Sequence, residues 1–334
     1  FIYSDIYGNI GLQTGGGIPL RKGNGIMIRS GETGEFDWKG YVTFEKLPFS
    51  YNPSGGTVSS ANNKTVSDYP YFISQDFVVP YRIKRIREML GQKETFNTED
   101  FRKMILDQHS VLARSLTPII LKLNDRRNDI TETGKAILDS LSRWDYRMSP
   151  SGIAPTVLEF FRMCLKKNIF ADELGELYNE MYYMTSEYYI YRIVSGESDE
   201  WIDNINTAET ETLDDIVMKS YKDAMEMLSK LFGKNLSKWQ WGKVHKITFI
   251  HPLGSVRLLG LLFNLNSKEY SIGGSDQTVC PYFSFDSLLR ASQGASIRHI
   301  YTTADCDESF SVLPGGISGV PESELYVSKV STYI

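Results

Sequence analysis

Apolar residues recur along this chain with two periods, and the changes between them divide it into three stretches. At the start, Phe1 to Asp5 and Ile10 to Thr14 are β-rich runs on either side of Ile6-Tyr7-Gly8-Asn9. Two such runs about a Gly-Asn turn predict a hairpin, and Gly15-Gly16-Gly17 then breaks the second strand. From Thr33 to Pro70 the chain is rich in Gly, Pro and Asn, which predicts turns and irregular backbone.

Helical spacing begins at Pro80. Arg82, Arg85-Ile86 and Met89-Leu90 predict a first helix that stops at Gly91. Thr98 is placed to cap the next, in which Phe101, Met104, Ile105 and Gln108 share one face. Val111 to Leu123 predicts another, kinked or ended by Pro118. Thr131 to Trp144 follows, and Pro155 suits the first turn of a helix running to about Asn168. Glu173 to Val194 reads as one long helix carrying Tyr178, Tyr182, Tyr183, Tyr188, Tyr189 and Tyr191. Such a stripe can line an aromatic pocket, but packing with the hydroxyls reaching water is the commoner use. In Thr212 to Phe232, Leu213, Ile216, Val217, Ser220, Ala224, Met227, Leu228 and Leu231 keep the 3.6 period, and Gly233 ends it. Strand character returns at Lys243 to Ile250. The expected organisation is therefore a β-rich part over 1–79, a mainly helical segment over 80–235 and a β-rich return over 236–334. That is an α+β class with its two ends meeting in one sheet.

Composition narrows the function classes. The chain has 334 residues, 41% hydrophobic and 23% charged, with 20 Tyr, the profile of a globular protein with a sizeable core. A net charge of -5 offers no basic footprint for nucleic acid. No apolar run approaches the roughly 20 residues of a membrane helix. The chain opens on Phe1, not Met, in what reads as mid-strand, so a fragment or processed product is expected, and a signal peptide would lie upstream. Cys164, Cys280 and Cys306 are far apart, so buried thiols rather than a disulfide framework are expected. The four histidines, His109, His245, His251 and His299, show no metal spacing. The acidic patches Glu197, Asp199, Glu200 and Glu209, Glu211, Asp214, Asp215 suit solvated faces and helix N-termini. No G-K-[ST] follows the triple glycine, and Gly316-Ile317-Ser318-Gly319 departs from G-x-S-x-G.

The irregular stretch carries the candidate chemistry. Asn62-Asn63 lies in a loop, and Arg82 opens the first helix. A side-chain amide and a fixed cation are what a site needs to stabilise a developing oxyanion. Taken singly, Asn62 serves equally well to cap a turn, and Arg82 to pair with a carboxylate. The order of pieces is more specific. Asp37-Trp38-Lys39-Gly40, Tyr51-Asn52-Pro53, Asn62-Asn63, Asp68-Tyr69-Pro70 and Tyr81-Arg82 with Arg85-Ile86 follow one another. Trp239-Gln240-Trp241-Gly242 with His245, Gly273-Gly274 with Thr278-Val279, and Pro314-Gly315-Gly316 with Ser318-Gly319 come later. This ordered set resembles the β-subunit of the penicillin acylase family, N-terminal nucleophile (Ntn) hydrolases, over most of the chain.

The resemblance implies part of an Ntn-hydrolase αββα sandwich with a large helical segment. It implies an amidase-like hydrolase acting on linear amide bonds of N-acylated small molecules, through a serine exposed by autoproteolytic processing. That serine is expected upstream, with the α-subunit and the rest of the β-subunit as partners, so these residues alone should be inactive. Asn62 would supply the oxyanion donor and Arg82 would organise the site. Asp76 lies where the family often gives a carboxylate to a structural calcium; catalysis needs no cofactor. An extracytoplasmic location is suggested on the same ground. The tail Tyr326 to Ile334 is short and lacks the tryptophan the family carries there, so the last element is expected to be altered. The alternative is a non-catalytic binding or scaffold protein that keeps the fold.

Overall fold

The first strands are held at their turn by one carboxylate. β1 (Ile2–Ser4) and β2 (Ile10–Gln13) pair antiparallel, with Ile2 opposite Leu12 and Ser4 opposite Ile10. Asp5 accepts hydrogen bonds from the Tyr7 and Asn9 backbone N–H groups, each 2.9 Å, and from Asn9 Nδ2 at 2.8 Å. Those donors, the Asn9 side chain foremost, hold its carboxyl at about 2. Gly8 at φ +84° supplies the left-handed turn residue. The computed structural model describes residues 1–181, 187–284 and 289–334. Their contacts form two units, Phe1–Thr95 with Tyr301–Ser309, and Phe96–Ile300 with Phe310–Ile334.

In the first unit a third strand, β3 (Phe49–Tyr51), pairs with the other side of β2. Three residues between Pro48 and Pro53 left too short an alternation to predict it. Gly11 lies between Tyr3 and Tyr51: a Cβ there would stand 3.9 Å from the Tyr3 Cβ and 3.7 Å from the Tyr51 ring. The face carrying these rings is exposed. The unit's small core is Ile18, Val42 and Leu47, wrapped by Leu20, Tyr69, Tyr71 and Ile73. One helix, α1 (Tyr81–Leu90), closes the unit and stops at Gly91 as expected. Gly91 keeps a right-handed φ of -80°, so it ends the helix without using its conformational freedom.

The second unit is built on helices. α2 (Thr98–Ile105) is capped by Asn97, not Thr98: Asn97 Oδ1 accepts from the Asp100 N–H at 3.0 Å, and Asp100 accepts from the Asn97 N–H at 3.2 Å. The reciprocal pair places the boundary one residue earlier. The helix ends before Gln108, and Phe101 is exposed. α3 (Val111–Leu121), capped by Ser110, runs through Pro118 without ending there. Only beyond Leu121 does the chain tighten to 3-10 geometry, over Lys122–Asp129. α4 (Glu132–Leu141) starts after its cap Thr131 and stops three residues short of Trp144. α5 (Ala154–Leu174), with Pro155 in its first turn, outruns Asn168 because Ile169 and Phe170 continue its buried face.

The expected single tyrosine-rich helix is broken. Gly175, at φ +53°, separates α5 from α6 (Leu177–Met181), and α7 (Glu187–Val194) follows. Tyr182 and Tyr183 lie outside the described residues. Tyr178 is buried, and the Tyr189 ring packs on Phe170 and Trp201 at 5.5 and 6.0 Å. Tyr189 Oη accepts from the Trp201 N–H at 3.1 Å. α8 (Leu213–Phe232) has the predicted bounds: Thr212 and Asp215 form a capping box and Gly233 turns at φ +73°. It packs along α5, burying Ile216, Val217, Tyr221, Ala224 and Leu228.

The C-terminal part is less regular than predicted. Trp241–Val244 forms the short helix α9, because the Trp241 and Gly242 N–H groups bond Gly152 and Pro150 carbonyls at 2.8 and 2.7 Å. The strand expected over Lys243 to Ile250 is reduced to β4 (Lys246–Ile247). After α10 (Arg257–Leu262), β4 pairs with β5 (Tyr270–Ser271), β6 (Tyr282–Phe283) with β7 (Gln293–Gly294), and β8 (Arg298–Ile300) with β9 (Phe310–Val312). The single sheet expected from the two ends is therefore corrected: among the described residues β1–β3 form their own sheet, and the later strands form three pairs. A core of Ile247, Ile272, Cys280, Tyr282, Ala291 and Val312 joins those pairs to Tyr333 of α11 (Val330–Tyr333). Buried Arg298 lies 4.7 Å from the Tyr333 ring and donates to the Tyr333 and Ile105 carbonyls at 3.1 and 3.2 Å. It thus supplies a cation to the C-terminus of α2.

Candidate functional site

Asn62 sits at the tip of a loop with a left-handed backbone. Its φ is +60°, a region Asn enters more easily than most residues. Its buried neighbour shapes the loop: Asn63 Oδ1 accepts from the Ala61 N–H at 3.0 Å, and Asn63 Nδ2 donates to the Lys64 carbonyl at 2.8 Å. The Val78 N–H donates to the Asn62 carbonyl at 3.0 Å, tying the loop to the segment entering α1. The pair therefore divides its work: Asn63 faces inward and builds the turn, while Asn62 faces out.

Arg82 lies in the first turn of α1. Its flanking residues Tyr81 and Ile83 are buried, which fixes the helix face and leaves Arg82 half-buried. Arg82 Nη2 donates to Asn62 Oδ1 at 2.8 Å. The two residues, 20 apart in sequence, are brought together. An arginine has no acceptor, so the amide atom facing it is the oxygen, and Nδ2 is turned the other way. A half-buried cation on Oδ1 also polarises the amide and makes its N–H groups better donors. The arrangement presents a neutral, oriented donor to any acceptor reaching the loop. In the same unit, a cavity of about 320 Å³ is bounded by Leu12, Phe49, Ser59, Thr65 and Arg87. Ser59 and Thr65 flank Asn62 in sequence.

Asp76 is not part of this pair. It is exposed, and its N–H bonds Ser74 Oγ at 2.9 Å. Among the described residues no group of three or more His, Cys, Asp or Glu side chains converges. Calcium wants about six or more oxygens, so Asp76 does not by itself fit such an ion.

The second unit holds charged groups that the sequence reading passed over. Arg162 on α5 makes a fork to Asp276, both contacts 3.1 Å, and reaches Glu159 at 2.8 Å and Glu187 at 3.4 Å. Lys166 also pairs with Glu187. Burial pushes Glu159 up to about 7, against the pull of Arg162. Although burial raises Asp276 too, the Arg162 fork brings it below the ordinary carboxylate range. One signal was legible: Glu159, Arg162 and Lys166 fall on one face of a helix whose first four turns are otherwise mainly apolar. His245 stacks on Trp241 at 4.4 Å and bonds the Leu289 carbonyl through Nδ1 at 2.9 Å. That places its proton on Nδ1. Burial lowers it to about 4. The Arg162 cluster, in which Asp276 and Glu187 keep some exposure, ties α5 to α7 and to the turn at 275–278.

The Penicillin amidase family matches residues 1–334. The chain belongs to that family. It is 26% identical over 336 residues to the penicillin acylase 2 proenzyme of a Pseudomonas species, covering 98% of this chain and 42% of that protein. It is likewise 26% identical over 364 residues to the acyl-homoserine lactone acylase QuiP of Pseudomonas aeruginosa, covering 98% and 42%. The chain thus spans about 42% of the length of these relatives. A solved structure, the thermostable penicillin G acylase from Alcaligenes faecalis, superposes with a TM-score of 0.57 at 19% identity, over 71% of this chain and 48% of that one. The fold of this penicillin amidase family chain is accordingly α+β, part of an Ntn-hydrolase architecture with a large helical segment. No helix among the described residues is long and apolar enough to cross a membrane.

Proposed function

We propose that these residues form the oxyanion-binding part of a hydrolase that cleaves the amide bond of N-acylated small molecules. The observation that carries this reading is the Arg82 Nη2 to Asn62 Oδ1 bond of 2.8 Å, which turns the Asn62 amide nitrogen outward. A serine Oγ attacks the substrate carbonyl carbon while its own α-amine takes the proton; that amine, with a pKa near 8, is a workable base around neutral pH. The carbonyl oxygen becomes an alkoxide and accepts from Asn62 Nδ2. Collapse breaks the C–N bond, the amine leaves with the proton, and water then releases the acid from the acyl-serine. Serine and amine are supplied by polypeptide outside these 334 residues, so the 334 residues alone are inactive. The relatives named as penicillin acylases and acyl-homoserine lactone acylases support an N-acyl amide as the substrate class.

The test uses the whole translated protein that contains this chain and a chromogenic N-acyl anilide. Asn62→Ala lowers kcat by about 10²–10³, the usual cost of one oxyanion donor, with unchanged circular dichroism. Arg82→Ala lowers it less, because Nδ2 stays in place but loses its orientation. A variant Asn62→Ala within twofold of wild type sinks the reading, as does hydrolysis by the 334 residues alone; a whole protein without any hydrolysis leaves the non-catalytic scaffold.

A further inference from the structure

The loop that carries Asn62 borders the cavity of about 320 Å³ with both of its flanks. Val58 and Ser59 line the cavity from before Asn62, and Thr65 and Val66 from after it. Leu12 of β2 and Phe49 of β3 line it as well, and α1 contributes Arg87. Asn62 and Arg82 are not on that lining. Arg87 is its one charged residue. Among the described residues the Arg87 guanidinium has no ion pair and no side-chain hydrogen bond. Glu88, the acid next to it in sequence, pairs with Arg85 at 3.5 Å instead.

The surroundings favour an anion. Along α1, Arg82, Lys84, Arg85 and Arg87 stand against Glu88 alone. The stretch 46–67, which supplies most of the lining, has no Asp or Glu, and Lys46 and Lys64 are its only charges. This basic patch lies in a chain of net charge -5. A guanidinium fork matches a carboxylate with two parallel N–H···O bonds, and the hydroxyls of Ser59 and Thr65 are further donors. The rest of the lining decides which anion. A fully hydrated one, such as inorganic phosphate, would shed water against Leu12, Phe49, Val58 and Val66 with nothing to replace it. An anion with an apolar body fills that space. Small-molecule sites start at roughly 300 Å³, so this one admits a single ring or a short alkyl chain.

We infer that this cavity binds a small carboxylic acid with an aromatic or short alkyl body. The carboxylate sits on Arg87, and the body packs against Leu12, Phe49, Val58 and Val66. The site is separate from the Asn62 amide, and its occupant braces both flanks of the loop that carries that amide. The assignment follows from the charge and lining of the cavity and stands whether or not the whole protein hydrolyses amides. Where it does, the acid released is a ligand of this class; that link alone rests on the proposed function.

The experiment titrates 4-fluorophenylacetate into the whole translated protein carrying Asn62→Ala, in which the oxyanion donor cannot compete for the carboxylate. Fluorine NMR reads the affinity, and amide hydrogen exchange reads the place. The expected result is saturable binding that slows exchange over 57–66 and leaves 246–250 unchanged. Adding Arg87→Gln should weaken binding about ten- to a hundredfold, the usual worth of a hydrogen bond to a charged group, with unchanged circular dichroism. Arg87→Lys keeps the charge without the fork and should weaken it less. The neutral 4-fluorophenylacetone and inorganic phosphate should each bind roughly tenfold or more weakly than the acid. The inference is overturned if the acid does not bind, if Arg87→Gln stays within twofold, or if the protected amides lie outside 57–66. It is equally overturned if the ketone or phosphate binds as tightly as the acid. The two readings separate cleanly. A protein that hydrolyses nothing yet binds the acid through Arg87 loses the proposed function and keeps this site. One whose hydrolysis depends on Asn62, but which binds no acid at Arg87, keeps the function and loses the site.

Discussion

The α5–α8 pair and the β1–β3 sheet are contrasting ways of using apolar residues. Along α5, Val157, Leu158, Phe161 and Ile169 are fully shielded, and so are Val217, Tyr221 and Ala224 of α8, which packs along it. In β1–β3 only Gly11 is buried, while Phe1, Tyr3, Phe49 and Tyr51 stand in the open. The helices find their partners three or four positions apart and close a core within one segment. A three-stranded sheet needs a hydrophobic face to bury, or a helix against it, to be stable alone. The candidate site sits in the unit with the poorer core, where hydrogen bonds such as Arg82 to Asn62 join buried Tyr81 and Ile83 in setting the geometry.

The comparison can be broken most directly by cavities. Phe161→Ala on α5 should cost roughly 3–5 kcal/mol, read by urea unfolding at 222 nm. Tyr3→Ala on the sheet should cost less than about 1 kcal/mol, as for surface positions. A larger loss at Tyr3 in the whole translated protein would show that the sheet is covered there.

The charges inside the helical unit give a second contrast, in pH. Glu159 is raised from 4.5 to about 7 by burial. A raised folded pKa gives stability that is complete below pH 4.5 and is lost as pH climbs through about 7. Glu159→Gln should therefore gain on wild type across that window, by on the order of 3 kcal/mol. His245 works in the opposite sense: lowered from 6.5 to about 4, it gives stability that is complete above pH 6.5 and is lost as pH falls through about 4. His245→Gln should lose its deficit against wild type on acidification. Unfolding free energies of both variants at pH 4.5, 5.5, 6.5 and 7.5 check the signs. Parallel curves for wild type and Glu159→Gln would mean that the carboxyl is never buried as an acid.

The smallest effect belongs to a helix end. Thr212→Ala removes half of the α8 capping box and should cost about 1 kcal/mol. A comparable cap loss at Asn97 would confirm that α2 begins there; Thr98→Ala, one residue inside, should be nearly silent.

Helices were the more legible part because their signals are local. Thr212, Asp215 and Gly233 bracket α8 in the sequence as they do in space. Predictions failed where a distant partner decided. Lys243 and Val244 read as the start of a strand, but the Gly152 and Pro150 carbonyls draw Trp241–Val244 into a helical turn. β3 was invisible because its partner supplies its regularity. Gly175 broke the tyrosine-rich helix, a residue whose left-handed φ no periodicity announces. At the site, Asn62 and Arg82 stood out only through the order of motifs; nothing in their spacing says that a guanidinium meets an amide oxygen. Glu159, Arg162 and Lys166 shared a visible face, but Asp276 and Glu187 carried no signal.

The positive φ of Asn62 sets two filters on position 62. A saturation library there should give the most stable protein with glycine, aspartate and asparagine, the residues whose backbones enter that region cheaply, and folded protein about 1–2 kcal/mol less stable with others such as alanine. Of those three, glycine brings no side-chain hydrogen bond, and aspartate would meet Arg82 as an anion without an N–H to offer. Sorting such a library first for expression and then for turnover would separate what the turn tolerates from what the chemistry demands.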